Sequence, residues 1–459
     1  MSKSGRGNRS DGWIGSLLLM RRHLFVLSIA TCFIIAPALA NPVNPVVING
    51  AASFNQTGNV LAVTNSNGAI INWDKFSINA GETTRFLQTS TSSSVLNRVL
   101  LNDPTTIYGT LSSNGRVWLV NPAGIMVGPG GRVDVAGFVA STLNIRNQDF
   151  LAGRNLFIND GTAKYVINHG EIKTPTGGSV YLVGSNVSNE GLITTPQGET
   201  ILAAGVTVSL IDSATPGVKV DITGAAGNAT NLGEITAEAG RIGIAGVIVR
   251  NSGTLNASSV VNDGGRIFLK ASKAVTLETA SEIKADAGQN GTGGNVLVWG
   301  DESSTIDGTL SARGGNRSGN GGFVETSAAH VHVLDSARIT TAAAHGSSGT
   351  WLIDPNDYTI AASGGDITGA TLSTNLGSGN VTLQSSSGAT AGNGDVFVND
   401  NIAWSANTTL TLSAARNVAL RADISATGTG AGLTLNSNLA SVGGGQQSNR
   451  RHFAQRRGT

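Results

Sequence analysis

The sequence predicts an all-β repeat protein, a β-solenoid, on three observations. Glycine accounts for 62 of 459 residues, while charged residues are only 13% and aromatics 5%. Apolar and polar residues alternate in short runs, the period-two pattern of half-buried strands. A glycine-centred unit recurs along the middle of the chain. Two or three short strands per turn of ~20 residues is the pattern of a stacked coil.

The units carry this reading. "VINHGEIKTPTGGSVYLVG", "VSNEGLITTPQGETILAAG", "ATNLGEITAEAGRIGIAG" and "VRNSGTLNASSVVNDGGRIFLKAS" align on Gly170, Gly191, Gly233 and Gly253. The gaps are 21, 42 and 20 residues, so one unit is skipped or degenerate inside the double gap, where "VSLIDSATPGVKVDITGAAG" stands. Looser copies follow as far as residue 345. Asparagine and glycine close each strand, which their tolerance of positive φ explains. Stacked coils bring equivalent positions to ~4.8 Å, so outward positions favour Ser, Thr and Asn over like charges. The narrow bore favours Val, Ile, Leu and Ala. Coiling throughout residues 45–345 predicts about fifteen turns and a rod ~70 Å long. A sandwich or propeller is the rival, but the six tryptophans lack the fixed spacing a propeller blade needs.

The start reads as an export signal. Arg21-Arg22-His23 precedes the apolar run "LFVLSIATCFIIA", and Ala38-Leu39-Ala40 fits small-residue cleavage after Ala40. The signal peptide is residues 1–40, with Met20 an alternative start. Cys32, the single cysteine, lies inside it, so residues 41–459 hold no thiol for a disulfide, thiolate metal site or nucleophile. The net charge of +1 gives no footprint for nucleic acid. Near residue 346 "GSSGTWLIDPNDYTIAAS" interrupts the period, which resumes until about 440. Residues 441–459 form a basic tail without strand pattern, read as disordered or as the trace of a truncation or frameshift.

Within residues 58–145 stand the runs "GNVLAVTNSNGAIINWDKFSINAGETTRF", "SSSVLNRVLLNDPTTIYGTLSSNGRVWLVNPAGIMVG" and "VDVAGFVASTLNI". Together they resemble the secretion domain of the filamentous haemagglutinin family, the exported partners of two-partner secretion. The family's N-P-N-G-I element stands here as Asn121-Pro122-Ala123-Gly124-Ile125, with Ala123 in place of the second asparagine, and its N-P-N-L element is absent. "GTWLIDPNDYTI" also resembles a segment of large exoproteins of this family. The resemblance implies a right-handed parallel β-helix with an N-terminal capping secretion domain. It implies export through the periplasm to the cell surface or medium, by a cognate outer-membrane β-barrel transporter with periplasmic recognition domains. The expected organisation is a secretion domain at 41–165, β-helix repeats of about 20 residues at 166–345, and a further β-rich exoprotein module at 346–440.

Asn121, Pro122, Gly124 and Ile125 are expected to form a type I turn that the transporter reads. Asn97 and Arg98 are grouped with them, Asn97 satisfying turn backbone and Arg98 solvated. His330 and His332 share one face of a strand, expected to face solvent rather than start a metal site. Asp354-Pro355-Asn356-Asp357 reads as turn chemistry rather than a catalytic carboxylate pair. "GGNRSGNGG" (314–322) reads as a loop without the aspartate of a calcium repeat. No cofactor, metal or catalytic residue is expected. The function implied is that of a haemagglutinin-type adhesin, with a host cell or glycan surface as a further partner. The alternatives are a β-helix carbohydrate-active enzyme and a haem-binding or contact-toxin stalk.

Overall fold

Short strands recurring at uneven intervals along the sequence stack into three ladders, the faces of a parallel β-helix. The structure is a computed structural model that describes residues 41–159, 161, 164–210, 220–386 and 392–439, and the backbone of 448–449 and 453–455. These fall within one compact unit, Leu39–Thr459. The expected signal peptide, with Cys32 and Met20, lies outside the described residues.

One ladder runs from Val60–Asn65 to Arg338–Thr340 through eleven parallel strands among the described residues. At ~4.8 Å per step it is about 48 Å long. The sequence estimate of fifteen turns was too high because the turns are longer than 20 residues. Leu255 pairs with Ile283 and Ile283 with Leu310, intervals of 28 and 27. A second ladder continues past residue 346 without a break: Val324 pairs with Trp351, Trp351 with Val381, and Val381 with Leu410. The interruption read at 346 is therefore a change of loop, not of stacking. The tail, expected to lack strands, adds Ser448–Asn449 and Phe453–Gln455 to short parallel ladders; its other residues lie outside the described set.

The double gap is not a degenerate coil. Ile193 pairs directly with Ile235, so one turn spans 42 residues. Within the extra length, Thr207–Ser209 pairs with Asp221–Thr223 outside the helix, and Leu156–Ile158 joins them into an antiparallel three-stranded sheet. Residues 211–219 of the expected unit lie outside the described residues. A short helix, Asn147–Leu151, completes this side structure. A second helix, Gly369–Leu376, is N-capped by Thr368, whose Oγ1 accepts from the Thr371 amide at 3.2 Å. It replaces a strand and buries Leu372 and Leu376 in the main core. Both helices were missed from sequence, being too short for a clear period.

The bore holds mostly Val, Ile, Leu and Ala. Its aromatics gather toward the two ends: Trp351, Tyr358 and Trp404 lie late in the chain, and at the N-terminal end Trp73 meets Phe54 and Phe76 edge-on at 5.5 and 5.6 Å. There Val46–Asn49 runs antiparallel to Ala69–Trp73, and Ala52–Thr57 antiparallel to Val60–Asn65. This hairpin cap occupies the edge that a parallel stack would leave open. A second apolar cluster, including Val139, Phe150, Phe157, Ile201 and Phe268, lies between the helix wall and the side structure. That wall is apolar on both faces, as in a sheet covered on both sides.

Two internal ladders explain the repeat's Asn and Gly. Asn168, Asn189, Asn231 and Asn251 are completely buried. Each Nδ2 donates to the Oδ1 of the next asparagine at 2.8 Å, and Asn251 Nδ2 ends the series on Ser281 Oγ at 2.6 Å. Gly170, Gly191, Gly233 and Gly253 follow two positions later and none has a positive φ. Their role is close approach: a methyl group on Gly191 would overlap the Gly170 carbonyl oxygen, and the same holds for Gly233 over Gly191 and Gly253 over Gly233. Gly178, Gly198, Gly240 and Gly265 form a parallel glycine ladder for the same reason. The expectation that these Asn and Gly residues close strands through positive φ is thus replaced by stacking contact.

Candidate functional site

The Asn-Pro turn follows directly from where the strand Thr110–Val120 must end. Asn121 keeps one ladder bond, its amide donating to Ser141 O at 2.9 Å. Pro122 has no amide to continue it. The chain reverses in a four-residue turn closed by the Gly124 amide on Asn121 O at 3.1 Å. Asn121 Oδ1 accepts from the Ala123 amide at 3.0 Å, an Asx-type contact inside the turn. Its Nδ2 donates to Asp103 O at 3.0 Å and Thr105 Oγ1 at 2.9 Å, tying the turn to the rung below. Gly124 has φ +123°, a backbone that side chains rarely adopt. Ile125 then enters Ile125–Val127, between Thr105–Ile107 and Tyr165–Asn168.

Asn97 and Arg98 do not join this turn; they lie in the strand Ser94–Val99. Asn97 is completely buried. It accepts from Trp73 Nε1 at 2.9 Å and donates to Trp118 O at 3.2 Å. It satisfies an indole in the core rather than turn backbone. Arg98 is not simply solvated: its guanidinium donates to Ile145 O at 2.8 Å, fastening the strand to the start of the side structure.

Asn121 is as buried as Asn97, Ile125 is 1% exposed and Ala123 6%. Only Pro122 of the turn keeps partial exposure. The motif therefore shapes the folded wall from inside. The small buried space at position 123 suits alanine, since the turn there uses only the backbone amide.

The other sequence candidates take structural places. His330 and His332 point outward while Val331 and Val333 are buried. Among the described residues no group of three His, Cys, Asp or Glu is placed to hold a metal. Asp354 ends a strand, and Asp357 Oδ1 accepts the amides of Gly394 and Asp395 at 2.8 and 2.7 Å, shaping the next rung. Burial, and then neighbouring Glu325, push the Asp354 carboxyl up to about 6. Residues 314–322 form a loop stacked on the loop below through a bridge between Asn290 and Ser318.

A capped parallel β-helix with an outside sheet, its Asn-Pro turn buried in the wall, defines the class: a β-solenoid secretion domain. The chain belongs to the TPS secretion domain family, whose model matches residues 38–285. The HMW1 secretion domain from Haemophilus influenzae superposes with a TM-score of 0.64 at 27% identity, over 84% of this chain and all of that one. A heme/hemopexin-binding protein of Haemophilus influenzae is 30% identical over 294 residues, covering 58% of this chain and 31% of that protein. A second Haemophilus influenzae protein of the same name is 34% identical over 80 residues, 17% of this chain and 9% of that one. The chain thus spans less than a third of the length of these relatives. Among the described residues no helix is long and apolar enough to cross a membrane.

Proposed function

We propose that this chain directs export of a haemagglutinin-type exoprotein through the periplasm and a cognate outer-membrane β-barrel transporter, to act at the cell surface or in the medium. The observation that carries this is the family match over residues 38–285. The physical properties suit threading. Residues 41–459 contain no cysteine, so an oxidising compartment cannot cross-link the chain before passage. Each rung bonds only to its neighbours, so folding proceeds rung by rung as the chain emerges. Because Asn97, Asn121 and Ile125 are buried once folded, they serve export through the unfolded chain or through the speed of folding, and recognition of the folded surface falls to other residues.

The test co-expresses the chain with its transporter and assays the medium. Deleting residues 117–142, or the transporter, abolishes extracellular protein. Asn121→Ala, which loses three hydrogen bonds, sharply reduces it. Unchanged export in the deletion counts against the reading. A second reading, capture of haem or a haem carrier, is favoured by the names of the two relatives. Titration of the secreted chain with haemin, followed by its absorbance, tests it.

A further inference from the structure

A groove of about 660 Å³ runs between the helix wall and the side structure. Its wall is built in register. Ser94, Arg116, Gly137, Ser179, Glu199, Arg241 and Arg266 occupy equivalent positions on seven successive rungs. Six steps of ~4.8 Å make it about 29 Å long. Phe150, Gly153 and Asn155 of the side structure line the opposite bank. The glycine ladder from Gly178 to Gly265 runs along the groove, leaving backbone rather than side chains on its surface.

Three guanidiniums face one carboxylate here. Glu199 is already engaged: Arg241 donates to it at 2.9 Å and Tyr181 Oη at 2.7 Å. Burial, with Glu199 next, raises the Tyr181 phenol, so it stays a proton donor to Glu199. Arg116 and Arg266 are exposed and form no ion pair among the described residues. The Arg116 stem lies over Gly137, where a Cβ would sit 3.1 Å from its Cγ, and this close seat directs the side chain along the wall. Trp118 is held rigidly beside it, edge-on to Phe150 at 5.4 Å and stacked on Phe157 at 5.8 Å.

We propose that this groove binds a linear carboxylated polysaccharide, its carboxylates taken by Arg116 and Arg266 and its sugar rings lying along the polar wall beside Trp118. Length favours a polymer over a small anion, because the two free guanidiniums lie five rungs apart. Guanidinium forks suit carboxylates. An acidic peptide fits less well: the wall's backbone groups are already bonded along the ladders, so it offers no free strand edge for main-chain pairing. A sugar brings hydroxyls for the Ser, Asn, Gln and backbone groups instead. The inference rests on the export reading in one respect, that such a polymer is met outside the cell.

The experiment titrates the purified secreted chain calorimetrically with galacturonate oligomers, the same oligomers methyl-esterified, and poly-glutamate of matched length. The free oligomers bind and the esterified ones do not. Arg116→Ala and Arg266→Ala, both exposed, each weaken binding about tenfold with an unchanged thermal midpoint. Absence of galacturonate binding, equal binding of poly-glutamate, or wild-type affinity in both variants overturns the inference. Export of each variant is measured in the same cultures, so lost binding with normal export bears on the groove alone.

Discussion

The buried asparagine ladder is open to a quantitative test through Asn189. Its Oδ1 accepts from Asn168 and its Nδ2 donates to Asn231, both at 2.8 Å in a fully buried position. Asn189→Ala removes both bonds and strands one amide donor and one carbonyl acceptor away from water. Each lost bond is worth about 1 kcal/mol net, and each stranded group adds a similar amount or more. The expected cost is about 3–4 kcal/mol. Asn231→Ala costs about the same, since it also breaks two rungs of the ladder. The double variant breaks the shared bond only once, so it falls short of additivity by about 1–2 kcal/mol. Urea unfolding read by hydrogen exchange at the amides of 186–189 and 228–231 reports the local unit, which suits a repeat protein better than one global midpoint. A single-variant cost below about 0.5 kcal/mol, or additivity within about 0.3 kcal/mol, refutes the claim that these residues act as one bonded chain.

Gly191→Ala places a methyl group against the Gly170 carbonyl and forces the rungs apart; a loss of more than about 2 kcal/mol and less extracellular protein are expected, read by urea unfolding and blotting of the medium. Trp73→Phe leaves Asn97 Oδ1 without its buried donor and costs about 1–3 kcal/mol by the same unfolding assay. Asp354→Asn acts through pH. The folded carboxyl is raised to about 6, so the folded chain holds this proton more tightly than the unfolded one, and stability falls as pH rises from about 4 through 6. The variant is therefore more stable than the parent at pH 7.5, by about 1 kcal/mol after solvent screening is allowed for, and the gain vanishes at pH 4; thermal melts across that range check it.

The repeat was legible because stacking is written in local spacing. Gly170, Gly191, Gly233 and Gly253 mark corresponding rungs, and the intervals read from sequence are those of the ladder. The outward placement of His330 and His332 was legible for the same reason, since alternation alone decides it. What distant partners decide was not legible. The strands Thr207–Ser209 and Asp221–Thr223 alternate like any coil strand, and only their pairing with each other and with Leu156–Ile158 removes them from the helix. Asn-x-Gly looks the same whether it supplies a positive φ or a buried ladder. Arg98 finds Ile145 O across 47 positions, beyond the reach of any local pattern. The turn at Asn121 was expected, but its burial depends on the rungs that close around it.

The reversed hairpin at the start of the stack has a consequence for growth. With its lower side sealed by chain running the other way, the pile offers a fresh template on one side only. Later segments therefore add in a fixed sense, each new layer resting on one already set. In the export route proposed above, a polypeptide arriving piecemeal through a pore would meet a seat prepared for it, and every layer it completed would make slipping backward costlier.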